Sequence, residues 1–300
     1  AISDYYYYYS SNAHRGDYGI SIKASTEYEK TRELVKELIN AKSPKQIAFT
    51  SGTTDSINKI IFGYFKNILK EGDEVLLTKS EHASNVLPWF ELSHEINIKI
   101  KYIELDQDHK VTIENVKKAV TPNTKVISLA HISNVVGDIR PIKEITKYAH
   151  QNHILVLCDG AQSVPHMKTD VEDLDVDFLT FSAHKMCGPT GVGVIYMKEE
   201  YLNDVRPIIF GGGMNAEFDN EGHVIYKNMP DLLEAGTPNI AGVIGFGYII
   251  KYLEKIGFDN IHEYELSLKK YLIQRLKEIK EIEIYNEHSE SGIVTINYQG

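Results

Sequence analysis

Short apolar segments alternating with stretches of helical spacing leave this chain few folds to adopt. Residues 47–50, 74–78, 98–103, 126–130, 154–159, 176–181 and 193–197 read as strands. Helical spacing fills 53–69, 111–120 and 142–150 between them. A further helix over 27–39 carries apolar or aromatic side chains at Tyr28, Leu34, Val35, Leu38 and Ile39 and stops near Pro44. Strands that read as continuous apolar runs are buried on both faces, and parallel neighbours need helical crossovers. The rhythm therefore predicts an α/β fold, a mainly parallel sheet between helices. From about Ile240 the pattern changes to long helical stretches over 241–256 and 261–279, then strand candidates at 282–285 and 293–298. We read residues 1–255 as a large domain and 256–300 as the start of a smaller α+β domain. Both ends read as trimmed. The run Tyr5 to Tyr9 is expected to be the buried and half-buried end of a helix, not a binding platform.

Open α/β sheets hold their ligands at the carboxyl edge of the strands, so the residues just past each strand matter most. The run Ile154-Leu155-Val156-Leu157-Cys158 leads into Asp159-Gly160-Ala161-Gln162, and the run ending at Phe181 leads into Ser182-Ala183-His184-Lys185. An amine and a carboxylate delivered to one edge are what pyridoxal phosphate (PLP) requires. The amine forms a Schiff base, and the carboxylate keeps the ring nitrogen protonated so that the ring can withdraw electrons from a carbanion. Lys185 and Asp159 are the candidates. A loop lysine alone fits a plain surface role; the partner aspartate is what favours the cofactor.

Other strand ends add to this pair. Ser51-Gly52-Thr53-Thr54 joins a strand to a helix and offers free N–H groups and hydroxyls to an anion, although the same residues make an ordinary helix cap. His82, after the strand at 74–78, could stack on a pyridine face and move protons; a lone loop histidine is more often solvated, and only the position after a strand raises this one. Asn134 could bond the ring or a substrate carboxylate, or could form a turn. Gln162 lies where a turn residue could reach the ring oxygen, and Ser182 and His184 flank the lysine as phosphate donors. Gly188-Pro189-Thr190-Gly191 then turns the chain away. Of the two cysteines, Cys158 should face the layer opposite Asp159 and serve packing, while Cys187, two residues past the lysine, could approach the site, although a reactive thiolate needs an electropositive, partly exposed setting that the sequence does not show.

Composition excludes other classes. A formal net charge of −10 argues against nucleic acid and anionic membrane as partners. No apolar run reaches membrane-spanning length, and no basic-then-apolar leader opens the sequence. Two cysteines make no disulfide framework, which fits a reducing cytoplasmic setting. No metal-ligand spacing stands out.

These motifs, with Asn12-Ala13-His14-Arg15-Gly16, Ser80-Glu81-His82, Pro88-Trp89, His131-Ile132-Ser133-Asn134 and Glu234-Ala235-Gly236-Thr237-Pro238-Asn239, resemble the class V aminotransferase family, specifically its Suf-type cysteine desulfurases. The likeness runs nearly end to end. It implies a fold-type-I PLP-dependent transferase acting as a homodimer. Lys185 and His82 would be catalytic, Lys185 as the Schiff-base amine and His82 stacked on the ring. Asp159 would pair with the ring nitrogen, and Gln162 with the phenolic oxygen. Thr53, Thr54, Ser182 and His184 would surround the phosphate, with Thr237 reaching the phosphate in the other subunit. Asn134 would lie beside ring and substrate, and Arg15 near the substrate entrance. The implied reaction converts L-cysteine to L-alanine, leaves sulfur as a persulfide on an enzyme cysteine, and passes it to an acceptor or scaffold protein for iron–sulfur cluster assembly. That nucleophilic cysteine and a carboxylate-binding arginine would fall beyond residue 300. A selenocysteine lyase, an aminotransferase and a non-catalytic PLP-fold partner are the rival readings.

Overall fold

A computed structural model of the chain describes residues 1–13 and 16–299. Its main sheet contains β1 (Ile47–Thr50), β2 (Glu74–Leu77), β3 (Lys99–Tyr102), β4 (Thr124–Ala130), β5 (Leu155–Asp159), β6 (Phe178–Ser182) and β7 (Gly193–Met197), in the spatial order β1-β7-β6-β5-β4-β2-β3. Strands β6, β5, β4, β2 and β3 run parallel. Strand β7 is antiparallel to both of its neighbours, so β1 points the same way as the parallel set. Its direction follows from its connection. Only a tight loop separates Ser182 from Gly193, too short for the crossover a parallel neighbour needs.

Alternation along the strands divides the core into two layers. Val156, Cys158, Leu179 and Phe181 pack with helices Gly19–Leu38, Ile142–Gln151 and Ile240–Ile256. Leu157, Phe178, Ile195 and Met197 face the opposite layer, built on the helical run from Thr53 and on Trp89. Asp159 and Ser182, two and four residues on from Leu157 and Phe178, therefore emerge on this second face. Gly193 must be glycine for close approach: a Cβ there would stand 2.5 Å from the Gly52 backbone.

The structure extends and corrects the sequence reading in several places. The first long helix begins at Gly19, well before residue 27, because its opening turns expose Ile20 and Ile22 and show no apolar face. The helix over 53–69 is present but not uniform, running Thr53–Ile60, a π turn at Ile61–Phe65 and a last turn at Lys66–Ile68. An unexpected helix, Leu87–Ile96, buries Trp89. A hairpin of β8 (Asn215–Phe218) and β9 (Val224–Tyr226) was also unforeseen. In the tyrosine run, Tyr5 and Tyr9 are buried, but Tyr6, Tyr7 and Tyr8 are exposed and not half-buried. Beyond helix Phe258–Leu276, β10 (Ile282–Ile284) and β11 (Ile296–Tyr298) form their own antiparallel pair.

Candidate active site

Because β1, β2, β4, β5 and β6 all point one way, their carboxyl ends share one edge. A cavity of about 480 Å³ opens there, within the range of small-molecule sites. Thr53, Thr54, His82, Asn134, Asp159, Gln162, Ser182, His184 and Lys185 all line it. All come from strand ends or the turns after them. Thr237 does not line this cavity; it stands exposed in the turn after Glu234. Arg15 lies outside the described residues.

Asp159 is 4% exposed, and its Oδ1 accepts the Ala161 N–H at 2.9 Å. Burial pushes its carboxyl above the usual range, and the Glu81 carboxylate adds to this, while Lys185 and His82 pull the other way. A buried carboxylate in this state lacks a close countercharge, which a protonated ring nitrogen would provide. Lys185 sits half-buried in the short 3₁₀ turn Ala183–Met186, directly after β6. Asn134 supplies a second gap: its Oδ1 is buried and has no hydrogen-bond partner among the described residues. The site thus presents an acid and an acceptor whose partners must come from whatever enters the cavity.

At the other end of the cavity, Ser182 Oγ accepts the Thr53 N–H at 2.7 Å and lies 2.6 Å from Thr53 Oγ1. Thr54 Oγ1 lies 2.6 Å from Ser84 Oγ. These hydroxyls and the start of the helix make a donor-rich wall suited to a phosphate. His82 caps the turn Ala83–Asn85, its Nδ1 accepting the Ser84 N–H at 3.1 Å. In the neutral ring that bond leaves the proton on Nε2. Ser84, Asp55 and Thr190 also line the cavity and were not singled out from sequence. Ser84 lies in the motif around His82, but nothing in the sequence distinguishes it from a turn serine.

Cys158 lies on the other face of the sheet, as its alternation with Asp159 requires, and burial pushes its thiol far up. Cys187 is exposed and does not line the cavity.

The family model for aminotransferase class V matches residues 1–300. The chain belongs to the class V aminotransferase family. It is 42% identical to a probable cysteine desulfurase of Halalkalibacterium halodurans, covering 100% of this chain and 73% of that protein. A probable cysteine desulfurase of Staphylococcus aureus is also 42% identical, over 99% of this chain and 72% of its own length. Among solved structures of the family, the apo cysteine desulfurase of Thermococcus onnurineus superposes with a TM-score of 0.94 at 35% identity, over 100% of this chain and 74% of that one. The cysteine desulfurase CsdA of Escherichia coli gives a TM-score of 0.92 at 31% identity, over 100% of this chain and 74% of its own. The family's PLP fold thus matches the cofactor that the cavity's donors and orphaned acceptor fit.

Proposed function

We propose that the protein is a PLP-dependent cysteine desulfurase, taking sulfur from L-cysteine, releasing L-alanine and passing the sulfur on as a persulfide for iron–sulfur cluster assembly. One observation carries the reading: Lys185 and Asp159, from adjacent strand ends, share a cavity whose other walls hold His82 and the Thr53–Ser182 hydroxyl pair. The relatives named as cysteine desulfurases support the choice within the family.

When bound, PLP supplies an electron sink for negative charge developing at the substrate α-carbon. The chain's own residues do the rest. Lys185 would hold the cofactor through its Nζ, and the same amine is the base placed to take the substrate's α-proton. Asp159 would hold a proton on the ring nitrogen by its charge, strengthened by its own burial. His82, its Nδ1 tied back to Ser84, would cover the ring. Gln162 and Asn134 supply polar contacts beside the ring, and Thr53, Thr54, Ser182 and His184 hold the phosphate.

Neither cysteine of the chain serves as the sulfur acceptor in this reading, since Cys158 is sealed behind the sheet and Cys187 is outside the cavity. The persulfide-forming thiol and the arginine that binds the substrate carboxylate come from outside residues 1–300. Residues 1–255 form the PLP-binding domain, supported by the burial of Ile250 and Leu253 in the main core. Residues 256–300 belong to a smaller domain, supported by the separate β10–β11 pair. The enzyme works as a homodimer in which Thr237, exposed on its turn, serves the neighbouring subunit's cofactor, and Arg15 stands near the substrate entrance. A cytoplasmic location fits two unpaired thiols. Among the described residues no helix is long and apolar enough to cross a membrane.

The test is product analysis of the full-length holoenzyme given L-cysteine. With excess dithiothreitol, a thiol reductant that frees the persulfide sulfur as sulfide, alanine and sulfide in equal amounts are expected. A keto acid formed only with an amino acceptor would overturn the desulfurase reading in favour of an aminotransferase.

A further inference from the structure

Beneath the cavity lies an ion pair that the proposed chemistry does not use. The side chains of Glu81 and Arg140 are both 0% exposed and bond directly to one another. Burying two charges is expensive, so such a pair is by itself weak evidence of a stabilising role. Its position in the sheet shows what it does.

Strand β2 leaves the ladder before β4 ends. Their pairing runs from Glu74 to Leu76 against Thr124 to Ile127, whereas β4 continues beside β5 until Ala130 stands opposite Asp159. The backbone of Ala130 therefore has an N–H and a C=O on the side β2 has left, and buried groups of that kind need partners. Glu81 Oε2 accepts the Ala130 N–H at 2.8 Å, and Arg140 Nη1 donates to the Ala130 carbonyl at 3.1 Å. The ion pair takes the place of the missing strand at the residue registered against Asp159.

The same two side chains hold the neighbouring loops. Glu81 precedes His82 in the chain, and its carboxylate also accepts from Thr78 Oγ1 at 2.7 Å and Asn85 Nδ2 at 2.9 Å. Arg140 Nη2 donates to Ser80 Oγ at 2.9 Å and to Thr78 Oγ1 at 3.1 Å. The loop that carries Asn134 starts at His131 and closes at Arg140, whose N–H donates to the His131 carbonyl at 2.9 Å. His131 itself is kept neutral, its pKa held down at about 4 by burial and by the Arg140 charge.

We propose that Glu81 and Arg140 are positioning residues for the cofactor, their pair fixing His82, Asn134 and Asp159 in one register around the ring. The inference rests on the PLP-binding reading of the cavity. Electrostatics point the same way: Glu81 pushes the Asp159 carboxyl up, and Arg140 supplies the cation that offsets Glu81.

The experiment titrates PLP into the apo forms of the full-length protein, following the visible circular dichroism of the bound cofactor, with the thermal midpoint of each apo protein measured in parallel. Wild type tests the cofactor reading: no binding there would overturn that reading itself. Arg140→Met leaves Glu81 buried without its cation and is expected to lower both the midpoint and the PLP affinity. The double variant Glu81→Gln with Arg140→Met removes both charges and should recover much of the midpoint lost in Arg140→Met. Its affinity should still be weaker than wild type by roughly tenfold or more, with an altered dichroic band, because the grip on Ala130 and the two loops is lost. A double variant with a recovered midpoint and wild-type affinity and band would show a purely structural pair and overturn the proposal. If the double variant does not fold, Arg140→Lys decides. It keeps the charge but loses the planar fork, and wild-type affinity and band there would equally overturn the proposal.

Discussion

The two edges of the central sheet handle buried charge in opposite ways. At the carboxyl edge, Asp159 receives one backbone hydrogen bond and Asn134 Oδ1 none, so both look to the cavity for partners. At the amino edge, Asp177 is just as buried, but its carboxylate is surrounded by donors. Its Oδ2 accepts the Val156 N–H at 2.7 Å and lies 3.1 Å from His150 Nε2, while its Oδ1 accepts from the Tyr201 hydroxyl at 3.2 Å. Lys198 Nζ stands 3.5 Å from the same carboxylate. One edge is closed on itself and serves stability; the other is left incomplete and serves a ligand. Polar groups that the fold does not satisfy are a guide to where chemistry takes place.

That contrast can be broken most sharply at Lys185. Lys185→Ala should abolish the Schiff-base absorption band of the holoenzyme and all turnover, while the apo melting temperature stays close to wild type; an unchanged spectrum would refute the assignment. Asp159→Asn should keep the shape of the site and cost turnover on the order of 10²–10³-fold, read from alanine release. Its sign on stability is opposite. Burial raises the folded pKa of Asp159, so the ionised carboxylate weakens the apo fold as pH rises through and above the unfolded value, and the apo Asn variant should melt higher than wild type at neutral pH. Asp177→Ala should do the reverse, lowering stability by about 3 kcal/mol because several donors lose their acceptor, with PLP affinity per folded molecule unchanged. A loss of PLP affinity there would end the separation of the two edges.

The smallest effect concerns His150. Its pKa is raised, chiefly by the hydrogen bond to Asp177. A histidine raised on folding contributes stability fully below its ordinary pKa and loses it as pH rises through the raised value. Melting temperature should therefore fall as pH rises above about 6.5, the ordinary histidine value, by an amount worth under about 1 kcal/mol since the ring is partly in water. His150→Gln should flatten that slope, and an unaltered slope would assign the pH dependence elsewhere.

Most of the carboxyl edge was legible in the sequence because each strand is a continuous apolar run and each polar motif comes directly after one. Cys158 and Asp159 could be assigned to opposite faces from alternation alone. The direction of β7 follows from loop length, although the spacing of apolar residues does not encode it. Helix Leu87–Ile96 escapes the sequence pattern because Pro88 and Trp89 read as part of a motif and not as a first helical turn. The Glu81–Arg140 pair could not be found at all: its members stand 59 positions apart, and no local pattern marks either as buried. Thr237 is outside the cavity of its own chain, so its role rests on the family resemblance and not on geometry within one subunit.

Strand β7 lies between β1 and β6, and Thr53 meets Ser182 across 129 positions of chain. The phosphate wall is thus assembled from distant parts of the polypeptide, with β7 as the spacer between them. During synthesis, a nascent polypeptide that has not yet released Met197 from the ribosome has no complete pocket to offer. A complete cofactor pocket is therefore a late product of folding, coming after the non-local closure of the sheet.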